Sequence, residues 1–188
     1  MDIARKPFEE DFSTSENDIK IIKPKFDNIS GLQDLVLNEM KSLYYIEKAI
    51  FKSFSKVIKN CCSFELIEAV TIHQNQAKIH IDRLEASFII LNENAILQQS
   101  PVIESLLQDI DTLIEETKFG VVRDAGIVLV LQKIIHFEIA IYSISATYSE
   151  NKYQNKLHDL FFASLNDEKV TGLRLAKIAN TILFHSEV

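Results

Sequence analysis

Three glutamates and two histidines interrupt helical stripes that are otherwise apolar. Val36, Met40, Leu43, Ile50 and Phe54 recur at alternating steps of four and three, the spacing of a bundle seam, and Glu47 falls inside it. Leu131, Ile134, Ile135, Ile141 and Tyr142 trace a second stripe broken by Glu138. Leu157, Phe161, Leu165, Leu175, Ala179 and Ile182 form a third, with Glu168 and then Thr171 or Gly172 at its middle. Leu66, Ala69, Leu84 and Leu91 form a fourth, whose centre holds His73, Gln76 and His80.

An ionised carboxylate on a dry face is unfavourable by several kcal/mol unless a cation or a shared proton neutralises it. Carboxylates from facing helices, with further ligands one turn away, are how a helical bundle holds two iron or manganese ions. Glu47, Gln76, His80, Glu138 and Glu168 are therefore the expected metal-facing set, and iron or manganese the expected ions. A purely structural reading competes with it. A seam drawn one step wrong would turn a glutamate to solvent beside Lys48 or Lys169, His80 could be a core histidine paired to Glu47, and Gln76 an ordinary polar bridge.

Elements that bring these residues to one level follow from the punctuation. Asn28-Ile29-Ser30 offers a helix N-cap, and neither Gly nor Pro occurs between Gly31 and Pro101. The interruption at Asn60-Cys61-Cys62-Ser63 divides this stretch into helices of about 32–59 and 64–93. Ser100-Pro101 opens a shorter helix to about Thr117, closed by Phe119-Gly120. Two more long helices are expected over about 122–149 and 153–185. The run Ile127-Val128-Leu129-Val130-Leu131 alone would pass for a strand, but its periodicity continues past strand length. Thirty residues separate Glu138 from Glu168, and the same interval counted from Glu47 ends one residue beyond Gln76. Folded at the turns, four helices share one level. Tyr45-Ile46-Glu47-Lys48-Ala49-Ile50 and His136-Phe137-Glu138-Ile139-Ala140-Ile141 form a weak internal repeat.

The expected fold is all-α: two antiparallel pairs of long helices joined by a short connecting helix over residues 31–188, preceded by an N-terminal arm, 1–30. Four glycines and three prolines in 188 residues are too few for the reversals of a many-stranded sheet protein. The arm's Phe8, Phe12, Ile21, Ile22 and Phe26 could dock on a groove or leave it a mobile tail. A net charge of −7 with scattered basic residues argues against a nucleic-acid partner. Met1-Asp2-Ile3-Ala4-Arg5-Lys6 is unlike a secretory signal and no unbroken apolar run approaches a membrane span, so a cytoplasmic protein with no membrane partner is expected. Adjacent Cys61 and Cys62 point apart, which favours free thiols. The glycines are isolated, the Cys pair lacks zinc-ligand partners and no nucleophilic triad is visible, so hydrolase and nucleotide chemistry fall away.

Leu35-Val36-Leu37-Asn38-Glu39-Met40-Lys41-Ser42-Leu43-Tyr44-Tyr45-Ile46-Glu47-Lys48 resembles the first helix of the YciF-like (YciE/YciF) ferritin-like family of bacterial stress-associated proteins. The likeness extends over about 32–180 through His73, Arg83-Leu84-Glu85, Val122-Arg123-Asp124-Ala125, His136-Phe137-Glu138-Ile139-Ala140-Ile141-Tyr142 and Asp167-Glu168-Lys169-Val170-Thr171. It implies a ferritin-like four-helix bundle, a homodimer and a link to stress, with no established reaction. It also implies Glu47, Glu138 and Glu168 as metal-facing acids and His80 in place of a usual glutamine. Two acids of the family pattern are replaced here, by Gln76 and by Gly172.

The resulting expectation is a stress-associated bundle with a degraded di-metal carboxylate site, in which metal is weakly held, single or absent. The alternative is a di-iron or manganese oxidase or peroxidase-like enzyme acting on oxygen or peroxide, with Tyr142 or Tyr44 passing an electron. Iron storage in a shell carries little weight beside these two. Phe51, Phe54, Phe161 and Phe162 are either dimer contacts or core.

Overall fold

A computed structural model of the chain describes residues 29–150 and 154–185. The expected arm lies almost wholly outside these residues, as does the turn between the last two helices. The described residues form five helices and no strand: α1 (Leu32–Asn60), α2 (Phe64–Ile90), α3 (Pro101–Glu116), α4 (Val121–Glu150) and α5 (Gln154–His185). Four long helices and a short connector match the periodicity, and the ends differ where local chemistry decides. Gly31, not the Asn28–Ser30 segment, is the cap of α1, and it offers no side-chain bond. Ser30 instead reaches forward, its amide and hydroxyl both donating to Asp34 Oδ2 at 3.0 and 2.7 Å. The expected end of α2 at 93 is three residues too late: Asn92 takes the left-handed conformation at φ 55°, and the Glu93 amide closes back on the Phe88 carbonyl at 2.9 Å. Pro101 sits in the first turn of α3, where its missing N–H is not needed.

Paired contacts give the helix directions. Tyr44 meets Glu85, Glu47 meets His80, and the Phe51 carbonyl meets Gln74, so α1 and α2 are antiparallel. Gln76 with Thr171 and Arg83 with Asp167 set α2 antiparallel to α5 in the same way. Tyr45 reaches Glu104 and ties α3 to α1. By length and hydropathy α4 could cross a bilayer, yet half of that window is covered by its neighbours and it carries buried Asp124 and Glu138, as the core helix of a bundle does.

Burial divides the core in two. One cluster holds Ile50, Phe54, Leu66, Leu131 and Leu175, and the other Met40, Leu43, Leu84, Phe88 and Phe161. The polar level described below lies between them. Phe54 and Phe161 are core, whereas Phe51 and Phe162 are 42% and 47% exposed. In α5 the inward position after Leu175 is Ile178 and not Ala179, because the stripe has advanced by three residues there.

Asp124 of α4 caps α2 from outside the helix: its carboxylate accepts the Cys62 and Ser63 amides, both at 2.7 Å. Ser63, the residue at the cap position, makes no side-chain cap bond of its own. Asp124→Ala strands two donors at a helix N-terminus and should lower unfolding stability by about 2–3 kcal/mol, read from urea denaturation. Both cysteines are free, Cys61 buried and Cys62 exposed. Burial, then the charge of Asp124, pushes the Cys61 thiol up to about 12. A disulfide-exchange reagent at pH 8 should therefore label one thiol per folded chain and both in denaturant.

Candidate metal centre

Each long helix contributes to one level. α1 brings Glu47, α2 brings His73 and His80 two turns apart, α4 brings Glu138 and, one turn on, Tyr142, and α5 brings Glu168. All six are at most 1% exposed. None of the glutamates is turned out toward Lys48 or Lys169.

His80 Nδ1 lies 3.0 Å from Glu47 Oε1 and 3.4 Å from Glu168 Oε1. His73 Nε2 lies 3.4 Å from Glu168 Oε2 and 3.5 Å from Glu138 Oε2. Tyr142 donates its hydroxyl to Glu47 Oε1 at 2.6 Å and packs edge-on to the His80 ring. Phe54 packs edge-on to His73. On the outer side of His80, Nε2 lies 3.3 Å from Asp167 Oδ2, which accepts Arg83 Nη1 at 2.6 Å.

Most of these polar atoms have no hydrogen-bond partner among the described residues. Both oxygens of Glu138, both of Glu168, Glu47 Oε2 and both ring nitrogens of His73 are buried in that state. The His73 approaches to carboxylate are close enough for ionic attraction but lack hydrogen-bond geometry. Buried polar atoms without partners are rare in folded proteins, and a cluster of carboxylates and imidazoles so disposed is a donor set for a cation. Two triads have ligand atoms all within 4.8 Å of one another: Glu47, His80 and Glu168, and His73, Glu138 and Glu168. Glu168 is common to both, one oxygen turned to each.

The electrostatics describe the same arrangement without an ion. Burial alone would lower the His80 pKa, but Glu47, Asp167 and Glu168 outweigh it and raise the imidazole to about 10. His73 follows the same logic, with burial overridden by Glu168 and Glu138, and lies well above its ordinary value. Glu138 is raised by burial and by repulsion from Glu168 and Glu47, with His73 opposing. Burial and Glu47 raise Tyr142, which stays a phenol. Asp167 is lowered, first by the bond with His80 and, against a smaller burial effect, by Arg83. The level thus attracts positive charge, as protons on imidazole or as metal.

The structure brings Glu47, His80, Glu138 and Glu168 together and leaves Gln76 out. Gln76 is half-buried and its side-chain oxygen accepts Thr171 Oγ1 at 2.9 Å, so it bridges α2 and α5. His73 takes the place expected of Gln76. Its sequence signal was the seven-residue spacing from His80 within one apolar stripe. Asp167, the outer partner of His80, carried no comparable signal. Gly172 is buried, its carbonyl accepts Gln132 at 2.9 Å, and a Cβ there would stand 3.3 Å from Ile135, so α4 and α5 pack closely at this position. Tyr44 points to Glu85, to which it donates at 2.6 Å.

Comparison with known proteins agrees with this architecture. The family described as "Domain of unknown function (DUF892)" matches residues 31–185. Protein YciF of Escherichia coli (strain K12) is 25% identical over 155 residues, covering 81% of this chain and 92% of that protein. Among solved structures, YcfI from Rhodopseudomonas palustris superposes with a TM-score of 0.75 at 28% identity, over 80% of this chain and 96% of its own. The crystal structure of the E. coli stress protein YciF gives 0.78 at 24% identity, over 82% and 98%.

Proposed function

The chain belongs to the DUF892 family, and from that premise we propose that it is a metal-binding, ferritin-like bundle holding two iron or manganese ions at its central level. The observation that carries this reading is Glu168, whose two unpartnered oxygens each face a different buried imidazole. Glu47, His80 and Glu168 would hold one ion, and His73, Glu138 and the same Glu168 would hold the other. Three carboxylates would neutralise only part of the charge of two divalent ions, so their affinity is expected to be modest.

Bound iron would supply electron-transfer chemistry toward oxygen or peroxide. The chain's own part is to hold and enclose: Tyr142 fixes the Glu47 carboxylate by a 2.6 Å bond, Phe54 and the two apolar clusters keep bulk water away, and Asp167 steadies His80. The E. coli relative of known structure is described as a stress protein. We extend that role to this chain as the sequestration of redox-active metal in a dry interior.

Titration of metal-free protein with Fe(II) under anaerobic conditions, and with Mn(II), tests the reading. About two ions per chain are expected. Absence of uptake up to millimolar free metal would remove it and leave a proton-sharing core. Oxygen consumption in proportion to the iron added would favour the oxidase reading, which the Tyr142 hydroxyl bonded to Glu47 supports.

A further inference from the structure

We propose that Asp167, held by Arg83, is a positioning residue that makes the two halves of the centre unequal, so that the His80 half takes the first ion and the His73 half the second. This rests on the metal-binding reading above. His80 has both faces engaged: Nδ1 is turned inward to Glu47 and Glu168, and Nε2 outward to Asp167 Oδ2 at 3.3 Å. An acceptor on the outer nitrogen keeps its proton there and leaves the inner nitrogen's lone pair for a metal, while fixing the plane of the ring. Asp167 is itself anchored, by Arg83 Nη1 at 2.6 Å, and the same guanidinium nitrogen reaches Ser164 Oγ at 3.3 Å.

His73 has no such arrangement. Its Nε2 faces Glu138 and Glu168, but its Nδ1 is buried with no hydrogen-bond partner, and the neighbouring Phe54 ring offers no acceptor oxygen. Among the described residues no acceptor fixes its tautomer. Glu47 on the His80 side is likewise held, by Tyr142, whereas both Glu138 oxygens lack a partner. The triad of Glu47, His80 and Glu168 is thus preorganised, and that of His73, Glu138 and Glu168 is not.

The test is a Mn(II) titration of the metal-free protein, followed by the loss of the free-ion electron paramagnetic resonance signal. Wild type should show two classes of site separated by about 10-fold or more, and Asp167→Ala should weaken the tighter class by about 10–100-fold while leaving the weaker one in place. Asp167→Asn, which keeps an acceptor oxygen, should fall nearer wild type than Asp167→Ala. Arg83→Met should shift the tight class in the same direction by a smaller factor, and His73→Ala should remove the weak class alone. Two equal sites in wild type, or a tight class unmoved by Asp167→Ala and Arg83→Met, would overturn the asymmetry while leaving metal binding intact. A wild-type chain that takes up no Mn(II) or Fe(II) would overturn both.

Discussion

Glu168→Gln should abolish both equivalents of metal uptake, whereas Glu47→Gln and Glu138→Gln should each remove only one. The expectation follows from where the oxygens lie: Glu168 turns Oε1 to His80 and Oε2 to His73, while Glu47 and Glu138 each meet only one imidazole of the pair. A neutral amide keeps the shape of the side chain, but it removes the negative charge that both triads share and puts a non-ligating NH2 where one of the two facing oxygens stood. The readout need not be activity. A ligand at one hundred times its dissociation constant stabilises the folded chain by about 2.7 kcal/mol. In a chain of this size that raises Tm by about 5–10 °C. Addition of Mn(II) should give that rise in wild type, part of it in Glu47→Gln and Glu138→Gln, and none in Glu168→Gln. A Glu168→Gln chain that still binds two ions would show that the shared carboxylate is not the bridge.

The glutamates were legible in the sequence because burial of a carboxylate is a strong signal: each broke a stripe of aliphatic residues, and each stripe was long enough to define a face. The choice between His73 and Gln76 was not legible in the same way. An apolar stripe spans about 100° of a helix, and all three polar residues of α2 fall within it. Resolving them needs the finer angle. A seven-residue step drifts by only about 20°, so His73 and His80 point almost together, whereas a three-residue step from His73 turns Gln76 by about 60° toward α5 and Thr171. Asp167 was hidden because it neighbours Glu168 and so faces about 100° away, where only the position of α2 decides whether it meets solvent or an imidazole. The end of α2 was missed for a local reason, the left-handed turn at Asn92, which follows from backbone bonds to Phe88 and Ile89 that periodicity does not encode.

The same cluster dictates the pH dependence of the metal-free protein. His80 is raised from 6.5 to about 10 in the folded chain, so the stability it contributes is fully present below about pH 6.5 and is lost as pH climbs through 10. His73, raised well above the same value, acts in the same direction. Glu138 adds to the slope rather than opposing it. Its folded pKa is raised, so the unfolded chain releases that proton first and is increasingly favoured above about pH 4.5. Asp167 has the opposite sign, being lowered, and loses its contribution only as pH falls below about 3.8. These contributions are all in place only between about pH 3.8 and 4.5, so metal-free protein should lose stability above that range, and its Tm should fall by at least about 5 °C between pH 6.5 and 10. Each tenfold change in proton affinity carries about 1.4 kcal/mol, and each kcal/mol moves Tm by about 2–4 °C. Metal reverses the trend, because an ion at the His80 and His73 nitrogens competes with the protons that stabilise the empty site. With saturating Mn(II) the fall between pH 6.5 and 8 should flatten or invert. A metal-free chain whose Tm is level from pH 6.5 to 10 would mean that the two imidazoles are not held charged against Glu47, Glu138 and Glu168, and the electrostatic account of the centre would fail with it.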